Sequence, residues 1–443
     1  MRQALAPKIG RRPANRGAAR NRTWTKTFGS PVRGKVTNRS PARPLADSAL
    51  VLENWFPTLQ GAQVRGGSLL HATIGADDVT AMFAYRTAGN EKIFAANASA
   101  IYDVTSPADS AVIPTPVQSG LSGGYWSTAQ FETSGGQFLS AVNGADTPRQ
   151  YDGTTWSNST MSGTGLTTSN LSHVWSFKER LFFIESGTMN VWYLPVGSIT
   201  GALTQFSLGG VFKLGGSLYL GGTWSLDAGD GLDDFLVLVS TLGEVAIYQG
   251  TDPSNASTWR ISGRYKIPPP IGRNATFDAG GNLLIATTEG IVPISEAVTK
   301  DRAVLSLSAV TSLIEPDWIA AVDGRQSLPW DLVRWDNKNL MVVCSPSPSA
   351  AIEDIGFVQN LETGAAAKLT GWDMHCGAVL NGVFYFGNGS GQIMQGDAGG
   401  SDNGAIYTCK YASPFWTGRT AYKVSTLAKA FFRASKGFIA QLS

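Results

Sequence analysis

Seven hairpin-like stretches recur along the chain, and this recurrence constrains the fold more than any other feature. Each has two short strands of alternating aromatic or aliphatic residues around a Gly/Asn/Ser turn, which is typical of a β-hairpin. Their first strands start 44, 43, 54, 48, 57 and 43 residues apart. The stretches are 92–104, 137–153, 180–194, 235–250, 282–295, 339–344 with 356–361, and 383–396.

A spacing near 45 residues is that of a four-stranded propeller blade, whereas a sandwich would show closely spaced turns without a long recurrence. The composition agrees, because 51 of the 443 residues are Gly, 10% are aromatic and only 15% are charged. Such a mixture disfavours a helical bundle, and no apolar run is long enough for a transmembrane helix. The sequence therefore predicts an all-β chain with a six- or seven-bladed β-propeller.

The net charge of +2 conceals a basic N-terminal arm. Residues 1–44 hold nine Arg and three Lys with no Asp or Glu, so the remaining chain carries −10. Like charges and repeated prolines oppose folding of such a segment on its own, and basic arms commonly bind a partner. We expect an arm that becomes ordered on a partner protein, or on DNA. Its candidate partner-binding residues are Arg11, Arg12, Arg16, Arg20, Arg22, Arg33 and Arg39.

Two other interpretations of the arm stay open at this point. One is an organellar transit peptide, which the prolines disfavour because they interrupt an amphipathic helix. The other is a solvated tail without a specific role. A secretory signal is not expected, because the first 22 residues contain no apolar core.

The hairpin pattern is absent from both flanks of the repeat, and this suggests four segments. They are the arm 1–44, a lead-in strand 45–67, the propeller 68–403 and a C-terminal segment 404–443. The C-terminal segment is basic and aromatic and contains no acid. We expect the two flanks to pack together as a small β platform domain.

Candidate catalytic and metal-binding residues are sparse. The three His (His71, His173, His375) show no metal-binding spacing, and the three Cys (Cys344, Cys376, Cys409) form no paired motif. The sequence GLSGG at 120–124 matches the nucleophile-elbow pattern but lacks the helix that should follow it. We predict no catalytic residue, no cofactor and no metal site.

An acidic cluster is the one feature that could hold a cation. SLDAG at 225–229 resembles the core of the Asp-box of sialidase propellers, which is a structural turn. Asp227, Asp230, Asp233 and Asp234 lie close together, as in a calcium loop, but without EF-hand spacing. A solvated turn is the alternative.

The sequence LENWFP at 52–57, followed by Gly61 and RGG at 65–67, resembles the opening of the tail-hub or nozzle proteins of short-tailed bacteriophages, which include packaged-DNA stabilisation proteins. The stretch 427–441 is similar to the strand that returns to the platform in that family. The arm has no counterpart there. The resemblance otherwise spans residue 45 to the end.

The resemblance implies a non-enzymatic subunit of a hexameric ring below the portal or head-to-tail adaptor, which retains packaged DNA and conducts it during ejection. It further implies tail fibres or a tail needle as neighbours, transient passage of double-stranded DNA, and a place in the virion tail after assembly in the host cytoplasm. The platform and ring contacts would then be Asn54, Trp55, Phe56, Pro57, Arg65, Phe431 and Phe432.

A receptor- or carbohydrate-binding propeller is the main alternative, and a propeller hydrolase is a weaker one. The binding module would present Trp126, Trp156, Trp192 and Trp259 as stacking platforms for sugars. Aromatic side chains of this spacing also serve as blade core. The mass of the particle discriminates between these readings, because the ring is an oligomer and the others are monomers.

Overall fold

Seven antiparallel sheets form the body of the protein, and each is built on one of the predicted hairpins. The computed structural model describes residues 27–41, 43–225, 234–349 and 351–414. In every sheet, the predicted hairpin supplies the second and third strands. The chain is a seven-bladed β-propeller, which confirms the predicted fold class and settles the number of blades.

Blades 1 to 4 have four strands each, in simple sequential order. Blade 1 comprises Ala81–Thr87, Asn90–Ala96, Ala100–Asp103 and Gln118–Ser119; blade 2 comprises Ser127–Thr133, Gly136–Val142, Arg149–Tyr151 and Trp156–Asn158. Blade 3 comprises Leu171–Phe177, Arg180–Glu185, Asn190–Tyr193 and Thr204–Ser207; blade 4 comprises Leu218–Ser225, Asp234–Ser240, Glu244–Gln249 and Arg260–Lys266. A short parallel pair, Met161–Ser162 with Gly201–Ala202, links the loops of blades 2 and 3.

Blade 5 departs from this plan, because helices follow its three strands. The strands are Thr276–Asp278, Leu283–Thr287 and Gly290–Pro293; the α-helices are Ile294–Thr299, Leu305–Ser308 and Glu315–Val322. Short 3-10 helices cover Arg302–Val304 and Ser312–Ile314, and two more lie at Thr168–Asn170 and Asp336–Lys338. The last strand is capped by the helical segment, since Val310 N donates to Ile291 O at 2.9 Å.

Blades 6 and 7 complete the circle. Blade 6 comprises Asp331–Trp335, Leu340–Ser345, Ile355–Asn360 and Ala366–Thr370; blade 7 comprises Cys376–Leu380, Val383–Gly387, Gln392–Gly396 and the N-terminal strand Ser68–Thr73. That strand pairs antiparallel with Gln392–Gly396, and Ser68 faces Gly396. The propeller is thus closed by hydrogen bonds between the two ends of its sequence.

The core is divided among the seven junctions between neighbouring blades. Seven separate apolar clusters occur, and each draws its side chains from two adjacent blades. Strand residues with alternating orientation explain this, because the two faces of each sheet meet different neighbours. The largest cluster, at the junction of blades 6 and 7, also takes in Leu52 and Phe56 from the lead-in.

The two flanks pair with each other, and together they widen blade 6. Val51–Glu53 lies parallel to Ala366–Thr370, with Glu53 opposite Lys368, and Lys410–Ala412 pairs antiparallel to Val51–Glu53. A hairpin of Trp55–Thr58 and Gly61–Val64 follows. The described flanks therefore share a sheet with the propeller. Residues 415–443 lie outside the described residues, so the predicted platform domain stays a prediction.

The end of the arm is packed against the propeller within the single chain. Lys35 N donates to Ala366 O at 2.8 Å, and Thr37 N donates to Leu313 O at 2.9 Å. The prediction that all of 1–44 becomes ordered only on a partner is therefore wrong for 34–38. The sequence missed it because these bonds use the backbone, whose partners a charge pattern does not reveal. Residues 1–26 and 42 lie outside the described residues.

Candidate functional site

Two of the residues behind the resemblance, Asn54 and Arg65, meet three residues from later in the chain, Trp372, Asp402 and Tyr407. We call this cluster the clasp. The Arg65 guanidinium forms a bidentate ion pair with Asp402, Nη1 to Oδ1 at 2.8 Å and Nη2 to Oδ2 at 2.7 Å. Its Nε donates to Asn54 Oδ1 at 3.1 Å. The clasp thereby joins the lead-in to the C-terminal segment and to the connection between blades 6 and 7.

Aromatic rings enclose the guanidinium on both sides. The Arg65 Cζ lies 4.5 Å from the ring centroid of Trp372 and 4.0 Å from that of Tyr407. Trp372 Nε1 also donates to Asp402 Oδ1 at 2.9 Å. The Arg65 side chain is 0% exposed and that of Asp402 is 13% exposed. Because water is largely excluded from both, each charge is compensated mainly by the other. Paired and fully hydrogen-bonded charges of this kind fix geometry more than they add stability.

Asn54 turns the chain at the start of the clasp. Its φ of 64° lies in the left-handed region, which Asn tolerates better than most residues. Its Nδ2 donates to Thr408 O at 2.8 Å, and its Oδ1 accepts from Thr370 N at 2.9 Å. One side chain therefore connects the blade 6 sheet to the C-terminal strand.

The two glycines after Arg65 are required by close packing. A Cβ on Gly66 would lie 2.8 Å from the Asp397 carbonyl carbon, and one on Gly67 would lie 1.9 Å from the Ser401 carbonyl oxygen. Both contacts are with backbone, which cannot move aside. The sequence RGG therefore lets the lead-in pass directly beneath the C-terminal turn.

The predicted ring contacts are largely interior. Asn54, Phe56, Pro57 and Arg65 are buried, and Trp55 is half-buried. These four side chains already pack within their own chain, and their role as platform and ring contacts stays a prediction. In the sequence, a short run of polar and aromatic residues looks the same whether the residues pack inside the chain or contact another subunit. Phe431 and Phe432 lie outside the described residues.

The described part of the arm contains two of its seven predicted partner-binding residues. Arg33 and Arg39 flank the packed stretch, and both are exposed or half-buried. Between them, Lys35 Nζ donates to Asp317 Oδ1 and Thr37 Oγ1 to Asp317 Oδ2, both at 2.7 Å. These part-buried bonds to Asp317, on the helix of blade 5, anchor the root of the arm. Arg11, Arg12, Arg16, Arg20 and Arg22 lie outside the described residues.

A second polar cluster crosses the propeller axis. Arg273, ahead of blade 5, donates from Nη2 to Tyr125 O at 2.5 Å and to Asn143 O at 2.9 Å, both in blade 2 loops. Its guanidinium lies 4.4 Å from the Tyr125 ring centroid. Burial lowers the pKa of Arg273 and raises that of Tyr125. Because blades 2 and 5 are not neighbours, these hydrogen bonds connect opposite sides of the propeller.

Two buried groups on the first strands have strongly shifted pKa values. The Nε2 of His173 donates to Gly221 O at 2.9 Å, and its Nδ1 accepts from Ser127 Oγ at 3.0 Å. Burial lowers the pKa of His173 to about 4, so it stays neutral and links blades 2, 3 and 4. Asp331 accepts from Gly377 N at 3.1 Å, and burial raises its pKa to about 7.

His375 behaves differently from His173. Its Nε2 lies 2.9 Å from Asp373 Oδ1, and its Nδ1 lies 3.9 Å from Asp78 Oδ2. Burial opposes the charged imidazolium, but the bond to Asp373 and the neighbouring carboxylates outweigh it, so the pKa of His375 is raised. Within the described ranges, no group of three or more His, Cys, Asp or Glu has the arrangement of a metal site.

The other motifs have structural partners. Ser122 of GLSGG donates its backbone N to Asp146, and a strand follows the motif, as the sequence indicated. Asp234 of the acidic cluster pairs with Lys178 at 2.9 Å. Asp227, Asp230 and Asp233 lie outside the described residues. Asp234 is thus committed to an ion pair between blades 3 and 4.

The four tryptophans proposed as sugar platforms are core residues. Trp126, Trp156, Trp192 and Trp259 are all buried in junctions between blades. Trp259, for example, stacks on Tyr248 with centroids 5.5 Å apart. A carbohydrate could not reach these faces without opening a blade junction, so this mode of binding is excluded for them.

The helices in the described part of the chain were compared with the length and composition that a membrane span needs. No single helix there is long and apolar enough to cross a bilayer. The segments Arg302–Ser308 and Ser312–Val322 meet the length and composition criteria only when combined, and they are bent by 91°.

The comparisons with known proteins return β-propellers. The chain is similar to the β-propeller domain of Cps50 (Swd1) from Myceliophteria thermophila, at 12% identity and a TM-score of 0.45, covering 75% of this chain and 99% of that one. It is also similar to the WD40 propeller domain of Doa1, at 10% identity and a TM-score of 0.43, covering 75% and 97%. No protein-family model and no curated protein matches the chain.

Proposed function

We propose that the protein is a structural virion protein, a non-enzymatic subunit of a hexameric tail nozzle or hub ring below the portal or head-to-tail adaptor. In this role the ring retains packaged DNA and conducts it during ejection. Tail fibres or a tail needle would be its distal neighbours. It would be assembled in the bacterial cytoplasm and reside in the virion tail.

The observation that carries the proposal is the clasp. The residues behind the resemblance, Asn54 and Arg65 with the two following glycines, join the lead-in to the turn around Asp402. A motif that positions the flanks is what a platform-building subunit needs. A monomeric binding propeller has no such requirement, since its blades close through Ser68–Thr73 alone.

The basic arm supports an assembly role. Lys35 and Asp317 anchor its described root to the helix of blade 5, and the sequence of residues 1–26 adds further Arg and Lys. Ordering so many cations together is unfavourable unless an acidic surface compensates them. We assign the arm to the portal or adaptor protein, with DNA as the second possible partner.

The charge of the remaining chain suits a conduit. Residues 45–443 carry −10, and a wall that does not neutralise phosphates releases few counterions and holds DNA weakly. Head-to-tail contacts between identical subunits close such a ring around an axis. Because Arg273 crosses the propeller axis, the conduit in this scheme runs through the centre of the ring rather than through a propeller.

The test is the mass of the purified particle, by native mass spectrometry or mass photometry. Six copies per particle support the proposal. A strictly monomeric particle at all concentrations would favour the alternative, a receptor- or carbohydrate-binding propeller.

A further inference from the structure

The arginine that crosses the propeller axis has no acidic partner. Arg273 uses its Nη2 on backbone oxygens, Tyr125 O at 2.5 Å and Asn143 O at 2.9 Å. Among the described residues no Asp or Glu forms an ion pair with it, and the groups that favour its charged form are the hydroxyls of Tyr125 and Tyr219. Burial raises the pKa of both tyrosines, so neither hydroxyl carries a counter-charge at neutral pH. Arginines enclosed in this way are normally paired with an anion, because desolvating an isolated charge is costly.

Two groups beside this guanidinium are free to donate. The Arg273 Nη1 forms no hydrogen bond with any described residue, and neither does the hydroxyl of Tyr219. Tyr219 lies on the first strand of blade 4 and packs at the junction of blades 4 and 5. Both side chains are half-buried within the circle of blades, and their free atoms are not fully enclosed, unlike the Arg273 Nε. Solvent therefore reaches a set of free donors in the interior of the propeller.

This donor set matches an oxyanion. A guanidinium binds sulfate, phosphate or carboxylate oxygens through charge-assisted N–H bonds, and a tyrosine hydroxyl adds a further donor. The carboxyl group of Asp331 acts electrostatically on Tyr125, but it accepts from Gly377 N at 3.1 Å and forms no bond with Arg273. Hydrogen bonds between charged groups are stronger in a partly enclosed site than in bulk water.

We propose that Arg273 and Tyr219 bind a small oxyanion, such as sulfate or phosphate, inside the propeller. The anion supplies the counter-charge that no described carboxylate provides. It connects donors from blades 4 and 5, while the Arg273 Nη2 holds the loops of blade 2. A ligand that binds only the folded state stabilises that state, so the bound anion holds the blades together. The site lies within one chain and is the same in a ring subunit and in a monomer.

The experiment is isothermal titration calorimetry of the full chain with sodium sulfate at constant ionic strength. Tyr219→Phe is the primary variant, because it removes a hydroxyl that no described residue uses. Arg273→Lys is the second, since it keeps the charge and loses the planar fork. The matched controls are Tyr385→Phe, whose half-buried hydroxyl also has no bond within the described ranges, and Arg264→Gln, an exposed arginine on the outer strand of blade 4. Circular dichroism and thermal unfolding verify that each variant is folded.

We expect wild type to bind a single sulfate per chain, and Tyr219→Phe and Arg273→Lys to weaken this binding by about tenfold or more. Both controls should bind as wild type does, and phosphate should compete with sulfate. The inference is overturned if wild type shows no saturable binding, or if Tyr219→Phe binds sulfate as tightly as wild type. Loss of binding in Arg264→Gln would place the anion on the outer edge of blade 4 and also overturn it. A nucleoside monophosphate that binds more tightly than sulfate would overturn the assignment to a free ion, whereas weaker binding supports it.

Discussion

Replacing Asp402 by Ala should destabilise the propeller far more than its position near the surface suggests. The substitution removes both acceptors of the Arg65 fork and the acceptor of Trp372 Nε1. The guanidinium stays buried, because Trp372 and Tyr407 still cover its two faces. Its charge is then without an ionic partner among the described residues.

Removing one partner of a buried ion pair typically costs about 3–5 kcal/mol, since the other charge remains desolvated. The cation–π contacts with the two rings contribute about 1–2 kcal/mol each, but they are present before and after the substitution and so do not change this difference. We therefore expect the free energy of unfolding to fall by about 3–5 kcal/mol. The double variant Arg65→Met with Asp402→Asn should recover a large part, because no charge is left buried.

Urea unfolding followed by tryptophan fluorescence at pH 7 measures these differences. Hydrogen exchange of the Ser68–Thr73 amides adds a local readout, because the clasp lies beside this closing strand. Arg334 and Asp336 provide the control pair, with side chains 51% and 59% exposed. Removing either of them should change stability by less than about 1 kcal/mol.

The reasoning is refuted if Asp402→Ala costs no more than the control substitution. It is also refuted if the double-mutant cycle for Arg65 and Asp402 shows a coupling below about 1 kcal/mol. Either result would mean that the guanidinium is solvated in the folded protein, and that the clasp does not hold the chain ends.

Four further predictions follow from the titrating groups and the arm. Burial raises the pKa of Asp331 to about 7. The contribution of this carboxyl group to the free energy of unfolding is therefore fully present below pH 3.8 and is lost as the pH rises through 7. Relative to wild type, Asp331→Asn should gain up to about 4 kcal/mol between pH 4 and pH 8 in urea unfolding. Burial lowers the pKa of His173 to about 4. The contribution of its neutral imidazole to the free energy of unfolding is therefore present above pH 6.5 and is lost as the pH falls. Between pH 6.5 and pH 4, wild type should lose about 3 kcal/mol more than His173→Gln. Asp317→Ala should accelerate tryptic cleavage at Arg33 by about tenfold or more, and unchanged cleavage would contradict this expectation. Deleting 1–26 should prevent attachment to the adaptor while the propeller stays folded, and unchanged attachment would contradict that one.

The sequence predicted the part of the fold that is local. Each of the seven hairpins became the centre of a blade, because period-two alternation and a tight turn are encoded within about 15 residues. The pairing of Ser68–Thr73 with Gln392–Gly396 was not predicted, because nothing in either strand specifies a partner more than 300 residues away. The helices of blade 5 were also missed, since each is too short for a clear helical period.

Part of the cluster around Arg65 could be picked out from the sequence. Asn54 and Arg65 were singled out as platform and ring contacts, and within the chain both are buried. A sequence shows that an Arg is present, but its burial depends on Trp372, Asp402 and Tyr407, which come from distant segments. The left-handed φ of Asn54 and the two crowded glycines are likewise visible only in three dimensions.

The central claim is that this propeller is a ring subunit whose shared lumen conducts DNA. A cryo-EM reconstruction of the purified assembly tests it most directly, because it gives both the symmetry and the residues that face the lumen. We predict a sixfold ring with the propellers outermost, the two flanks at the contacts between subunits, and a lumen without a predominance of Lys and Arg. A lumen lined mainly by Lys and Arg, or particles without a ring, would contradict the account.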